Sequence, residues 1–113
     1  MALYHDEYLH TFSQHEAAER LRALTDYWNH KYHTQTEWDG YSGRIWGRVF
    51  GISFEATFFV ETGRMFGKLR VSYLAVGMGG KKYLKAKVDD YMNPAHSLEE
   101  LRARAPVFSP ARV

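Results

Sequence analysis

Three glycine turns divide the middle of the chain into segments of similar length. The dipeptides Asp39-Gly40, Phe50-Gly51 and Thr62-Gly63 each end in glycine, and their glycines lie 11 or 12 residues apart. Glycine adopts positive φ angles without a steric penalty, so each dipeptide is suited to a two-residue β-hairpin loop. The spacing predicts an antiparallel meander of four strands. The expected strands cover residues 33–38, 41–49, 52–61 and 64–74.

A two-residue loop also fixes which residues of neighbouring strands face each other. The third turn matches opposite charges and apolar side chains, pairing Glu61 with Arg64, Glu55 with Arg70, Phe59 with Phe66, and Val60 with Met65. The first turn pairs Trp38 with Tyr41. Matched cross-strand pairs each contribute about 0.2–1 kcal/mol, so this agreement supports the register.

The second turn accounts for two further glycines. It places Gly47 opposite Phe54 and Gly43 opposite Phe58, on the face of the meander that carries most of the aliphatic residues. Because glycine has no side chain, we expect these positions to leave space for the phenylalanine rings.

The opposite face of the meander combines aromatic and basic side chains. Trp46, Phe59 and Phe66 share it with five bases and two acids. A contiguous aromatic patch on a small domain marks a contact with a partner, unless a second helix or a second subunit covers it. We therefore expect a partner-binding surface made of Arg44, Trp46, Arg48, Phe59, Phe66, Lys68 and Arg70.

A capping box precedes the meander. Ser13 and Glu16 have the required spacing, and apolar residues follow at helical intervals, which predicts an amphipathic helix over 14–32. We expect this helix to cover the apolar face of the meander. Its charged side chains are expected to point mostly outward, namely Glu16, Glu19, Arg20, Arg22 and Asp26.

The C-terminal part of the chain is also helical in pattern. Residues 81–92 predict a second amphipathic helix that ends before Pro94, and a second capping box predicts a short third helix over 97–105. With the β-favouring run at 8–12, these elements predict an α+β fold that consists of a β-strand, a long helix, a four-stranded antiparallel meander and a closing helix. We expect residues 1–92 to form a single domain, and residues 93–113 to add a short helix and a loose C-terminal tail.

Charge is unevenly distributed along the chain. Residues 1–40 carry a net charge of −4, and residues 41–88 carry +7. A basic segment can attract an anionic partner. The acidic first helix could instead neutralise it, and both interpretations stay open.

The sequence offers no motif for catalysis or for a cofactor. It has no cysteine, its six histidines lack metal-site spacing, and no nucleophile elbow is present. The segment "AVGMGGKK" resembles a phosphate loop, but it follows an antiparallel meander and has Lys82 where the loop requires Ser or Thr. We expect neither an enzyme nor a metal protein. The segment predicts at most a weak anion site, made of Gly79, Gly80, Lys81, Lys82 and Lys85.

The sequence also lacks targeting signals. The N-terminus has no apolar signal-peptide region, and no apolar run is long enough to span a membrane. The RNA-recognition signature is absent as well, so we do not expect a nucleic-acid partner. A cytoplasmic protein is the expectation.

The order of these elements resembles that of the polyhydroxyalkanoic acid system family, which are small bacterial proteins encoded near the genes of storage-polyester granules. The resemblance covers residues 8–92 and is carried by "HTF…EAAERLRALTDYW", "TEWDG…GRIWGRVFGISFEATFFV" and "RVSYLAVGMGGKKYLKAKVDDYM". It implies association with polyhydroxyalkanoate granules or with their proteins, and it implies no catalytic residues.

Together these observations predict a non-enzymatic binding or adaptor protein, granule-associated by resemblance. It would contact a protein partner, the granule surface or a second copy of itself through the aromatic and basic face, and we expect a homo-oligomer. The alternative is a carrier of a small hydrophobic ligand, with a pocket between the first helix and the sheet. An unfilled cavity near Gly43, Gly47 and Gly67 would favour the carrier.

Overall fold

The computed structural model describes residues 2–49, 51–71 and 80–105. Their elements follow the order β1 (Ala2–Leu9), α1 (Gln14–Tyr32), β2 (Gln35–Asp39), β3 (Ser42–Val49), β4 (Ile52–Glu61), β5 (Arg64–Val71), α2 (Gly80–Tyr91) and α3 (Leu98–Ala103). The strands form one antiparallel sheet in the order β1-β5-β4-β3-β2. The predicted α+β fold and its meander are confirmed. The end of the predicted last strand and the C-terminal tail lie outside the described residues.

The three turn glycines adopt the expected backbone conformation. Gly40, Gly51 and Gly63 have φ angles of 60°, 78° and 79°. The registers predicted from the second and third turns are confirmed, since Gly47 faces Phe54 and Phe59 faces Phe66. The sequence pattern therefore predicts correctly how β4 pairs with β3 on one side and with β5 on the other.

The register predicted from the first turn is wrong by two residues. Trp38 faces Gly43 rather than Tyr41, and Asp39 faces Ser42. Gly40 occupies the first position of the loop, as in a type II′ hairpin, so Asp39 still belongs to the strand. A shift of two residues leaves every side chain on its predicted face.

Because the register of the first hairpin is shifted, the side chains nearest to Gly43 and Gly47 differ from those expected. A Cβ atom on Gly43 would lie 2.8 Å from ring atoms of Trp38, and one on Gly47 would lie 3.0 Å from the Cγ2 atom of Thr34. The expected pairings of these glycines with Phe58 and Phe54 are confirmed, but the nearest side chains are those of Trp38 and Thr34 rather than the phenylalanines. Trp38 of β2 and Thr34, which directly precedes β2, occupy the space beside these two glycines of β3.

Replacing Gly43 by valine should lower the free energy of unfolding by about 1–3 kcal/mol, the range for overpacking. The Trp38 indole cannot move away freely, because the ring of Phe58 stacks on it with centroids 6.5 Å apart. Denaturant unfolding measures the change. Ser42→Val, at an exposed neighbouring position, is the control and should change stability by less than about 0.5 kcal/mol. An unchanged midpoint for Gly43→Val would show that Trp38 lies elsewhere.

The N-terminal strand is longer and earlier than the predicted run at 8–12. β1 pairs along its whole length with β5, from Ala2 opposite Val71 to Leu9 opposite Arg64. The chain after β1 then crosses the last turn, where the backbone N–H of His10 donates to the carbonyl of Gly63 over 2.9 Å. The sheet thus has five strands, and β1 is one of its edges.

The first helix begins and ends as its sequence predicts. The backbone N–H of Glu16 donates to the Ser13 hydroxyl at 3.2 Å, and His33 ends the helix in the left-handed conformation. Its apolar side packs on the sheet face that carries Ile45, Phe58 and Val60, which we call the inner face. Leu21 and Leu24 are fully buried there.

One charged side chain of α1 points inward, contrary to expectation. Arg20 is only 3% exposed. Its guanidinium donates to three backbone carbonyls beyond the end of α2, those of Tyr91 (3.0 Å), Asn93 (3.2 Å) and His96 (2.7 Å). The terminal carbonyls of a helix need such donors, so Arg20 joins α1 to the end of α2 and to the loop before α3.

The remaining helices complete the same core. Val88 and Tyr91 of α2 and Leu101 of α3 belong to the buried cluster with α1 and the inner face. The Tyr8 hydroxyl of β1 donates to Asp89 of α2 over 2.7 Å, and this bond lowers the pKa of Asp89. All three described helices therefore contribute to the core on the inner side of the sheet.

Candidate functional site

The outer face of the sheet carries every residue of the predicted partner-binding surface. Arg44, Trp46 and Arg48 alternate along β3, Phe59 lies on β4, and Phe66, Lys68 and Arg70 alternate along β5. The antiparallel register brings them into neighbouring rows, because side chains two residues apart along a strand point to the same face. The structure thus brings the seven residues onto one surface.

The aromatic residues of this face remain accessible. Phe59 is 43% exposed and Phe66 is 38% exposed, and the register places the two directly opposite each other. Arginines lie over two of the rings. The Cζ atom of Arg44 is 4.3 Å from the centroid of Trp46, and that of Arg64 is 5.2 Å from the centroid of Phe66.

Two of the arginines are held by acids of the same face. Arg64 donates to Glu61 at 2.6 Å, which raises the pKa of Arg64, and it lies 3.4 Å from Glu7. Arg44 donates to Glu55, although the cross-strand pattern predicts Glu55 beside Arg70. The predicted register is correct, but the ion pair forms with the diagonal neighbour on β3 rather than with the residue opposite.

Three cations of the outer face remain available. Arg48, Lys68 and Arg70 form no ion pair with any described residue. The acidic first helix does not neutralise them, since Glu16 pairs with Arg20, and Glu19 pairs with Arg22 and Arg102. The interpretation that α1 neutralises the basic segment is wrong for these glutamates, because α1 packs on the inner face.

An open depression lies in the middle of the outer face. Its volume is about 730 Å³, and Arg44, Thr57, Phe59, Phe66 and Lys68 contribute to its lining. Thr57 lies between Arg44 and Lys68 in the register, and it is the shortest side chain of the three. The depression therefore presents two phenylalanine rings and an ammonium group that pairs with no described residue, and Glu37 and Asp39 also line it. This combination is suited to an amphipathic group of a partner.

The space expected for a carrier pocket is occupied at two of its glycines. Trp38 lies over Gly43, and Thr34 lies over Gly47. The side chain of Phe58 approaches the Cβ position of Gly67 to 4.0 Å. Side chains thus fill the space beside Gly43 and Gly47, where an unfilled cavity would have favoured a carrier.

The predicted anion site is only partly described. α2 begins at Gly80, while Gly79 and the side chain of Lys81 lie outside what the structure describes. Lys82 is exposed, and Lys85 pairs with Asp89 on the same helix at 3.2 Å. Lys85 is therefore engaged within α2.

Two further features are not found among the described residues. No group of three or more His, Asp or Glu side chains in residues 2–49, 51–71 and 80–105 is placed to hold a metal ion. None of the described helices has the length and apolar character needed to cross a membrane.

Sequence reasoning missed three of the five acidic residues of the outer face. Glu7 of β1, and Glu37 and Asp39 of β2, lie on this face because the register continues through both edge strands. The alternation along β2 could have indicated Glu37. Glu7 required the pairing of β1 with β5, for which the sequence gives no local signal.

Comparisons of the chain with protein-family models, with curated proteins and with solved structures found no match.

Proposed function

We propose that this protein is a non-enzymatic binding or adaptor protein that docks through the outer face of its sheet. One observation carries the proposal: Phe59 and Phe66, both more than a third exposed, lie opposite each other beside the unpaired Lys68. Exposed aromatic residues that cluster on a small domain mark a contact surface.

The surroundings of these rings favour a specific contact. Aromatic and arginine side chains are enriched among the residues that contribute most to binding. Here, Arg44 and Arg64 pair with glutamates and lie over Trp46 and Phe66, so these contacts already exist before a partner arrives. A preordered surface loses less conformational entropy on binding.

The location of the partner rests on the resemblance of residues 8–92 to the polyhydroxyalkanoic acid system family. We propose that the outer face docks at polyhydroxyalkanoate granules, through a granule protein or through the polyester itself. An apolar polyester surface would use the phenylalanines, whereas a granule protein could also use the unpaired cations.

The proposal is tested by a variant with Trp46, Phe59 and Phe66 all replaced by threonine, a residue that favours strands. We expect this variant to keep its circular dichroism spectrum and to lose binding to native granules in a sedimentation assay, because aromatic anchors contribute about 2 kcal/mol or more each. Tyr83→Gln is the matched control, since Tyr83 is 42% exposed but lies on α2. It should sediment like the wild type.

Two preparations distinguish the granule protein from the polyester. Binding to native granules and not to protein-free polyester particles would identify a granule protein, and binding to both would identify the polyester surface. If the triple variant folds and sediments as the wild type does, docking through the outer face is wrong.

A further inference from the structure

The charges of the outer face are separated along the strands. The half beside the turns at Gly40 and Gly63 carries Glu7, Asp39, Glu61 and Arg64, with a formal net charge of −2. We call this half the acidic end. The half towards the turn at Gly51, the basic end, carries Arg44, Arg48, Lys68 and Arg70 with Glu37 and Glu55, and its formal net charge is +2.

This arrangement disfavours a partner with charge of one sign. A nucleic acid or a polyacidic segment that crossed the whole face would gain at the basic end and be repelled at the acidic end. The face as a whole is neutral, so it offers such a polymer no net attraction. A complementary partner must instead carry the opposite order of charges over the same distance.

A second copy of the chain carries that order when it is turned end for end. A two-fold axis that lies between the two sheets and runs across their strands places each acidic end over the partner's basic end. Such an interface uses the same surface on both copies. Two-fold symmetry of this kind is the commonest among soluble oligomers. An axis along the strands would place like charges together and is disfavoured.

The aromatic residues lie near the boundary between the two ends. Phe59 and Phe66 form the row next to that of Thr57, so a copy turned about this axis brings its phenylalanines towards the depression around Thr57. Facing sheets pack at about 10 Å with their strands nearly aligned, which leaves room for one layer of interdigitating side chains. The depression would be filled by the partner's rings.

The size of the face sets the strength of the contact. Five strands spaced about 4.8 Å apart, with about eight residues of about 3.3 Å rise each, give a face of roughly 600 Å² per copy. The total of roughly 1,200 Å² is at the lower limit of specific interfaces. A weak and reversible dimer follows from this area.

We infer that the outer face binds a second copy of this chain, as an antiparallel face-to-face dimer held by aromatic packing at its centre and by opposite charges at its ends. This inference rests on the proposed function, because it assigns a second copy to the same docking face, where the weak dimer and a granule would bind in turn.

Two charge-reversal variants of the full chain test the inference by sedimentation velocity over a range of concentrations. One variant, Lys68→Glu with Arg70→Glu, makes the basic end acidic. The other, Glu7→Lys with Asp39→Lys, makes the acidic end basic. Each variant alone should self-associate at least about tenfold more weakly than the wild type, because like charges then meet at both ends. An equimolar mixture of the two should form a heterodimer.

A matched control changes the same types of residue on the helical side. Lys31→Glu with Arg102→Glu reverses one lysine and one arginine outside the sheet, and it should dimerise as the wild type does. The inference is overturned if the wild type is monomeric throughout, if both variants dimerise like the wild type, or if the mixture stays monomeric. Granule binding by a monomeric wild type would retain the proposed function and reject only the second copy as occupant.

Discussion

Replacing Arg20 by alanine should lower the free energy of unfolding by about 3–5 kcal/mol, which we expect to be the largest effect of any single charged residue described. The variant leaves the buried carbonyl of Tyr91 and the partly buried carbonyls of Asn93 and His96 without their donor. It also removes the guanidinium that lies 4.1 Å from the ring of Phe12. Because small domains are stable by only about 5–15 kcal/mol, thermal and urea unfolding should both show the loss clearly.

Two companion variants separate this role from a general effect of charge. Arg102→Ala removes an exposed arginine that pairs with Glu19, and it should cost less than about 1 kcal/mol. Arg20→Lys keeps the charge but not the planar fork that reaches several carbonyls, so its stability should fall between those of the wild type and Arg20→Ala. A loss of less than about 1 kcal/mol for Arg20→Ala would show that the three carbonyls do not depend on it.

Replacing Leu101 by alanine should cost about 2–5 kcal/mol, the range for large-to-small changes in a core. Leu101 is fully buried, although it lies on a helix of six residues near the end of the described chain. Urea unfolding followed by tryptophan fluorescence measures the change, since all three tryptophans lie in α1 and the sheet.

Leu98→Ala is the matched control for this prediction. It makes the same change on the same helix at a half-buried position, so it should cost less. A single unfolding transition that shifts for Leu101→Ala would show that α3 unfolds together with α1 and the sheet. If Leu101→Ala leaves the transition unchanged, α3 is an appendage of a domain that ends near residue 92.

Local signals predicted the central part of the fold well. A hairpin with a short loop is determined by a few adjacent residues, so the turns at Gly51 and Gly63 set the registers of β3, β4 and β5 correctly. The first turn was misplaced because a glycine with positive φ suits either position of a two-residue loop. The extent of β1 depends on its pairing with β5, which no local pattern encodes.

The sequence contains a signal for the burial of Arg20, which is overlooked when the residue is judged by its charge alone. It lies three residues after Ala17 and four before Leu24, and both of these are buried, so it occupies the apolar stripe of the helix. An arginine on such a stripe requires buried acceptors. Those acceptors come from carbonyls more than 70 residues later in the chain, and no pattern near Arg20 indicates them.

The sequence predicts which residues belong to the candidate site, but it does not predict which of their charges form ion pairs. Alternation along the strands is enough to place Trp46, Phe59 and Phe66 on one face. The choice of Glu55 between Arg44 and Arg70 depends instead on the twist of the sheet and on side-chain reach. That choice leaves Arg70 available to a partner, and only the three-dimensional arrangement reveals it.

The pairing of β1 with β5 has a consequence for how the chain folds as it is synthesised. Leu9 and Arg64, the nearest partners of this ladder, are separated by 55 positions, and Ala2 and Val71 by 69. At about 5–20 residues per second, the ribosome needs several seconds to supply the partner strand after β1 has emerged. The hairpins of the meander close sooner because their loops are short. We therefore expect β1 to be the last strand added to the sheet, and its backbone groups to stay unpaired and open to chaperones or neighbouring nascent chains until β5 emerges.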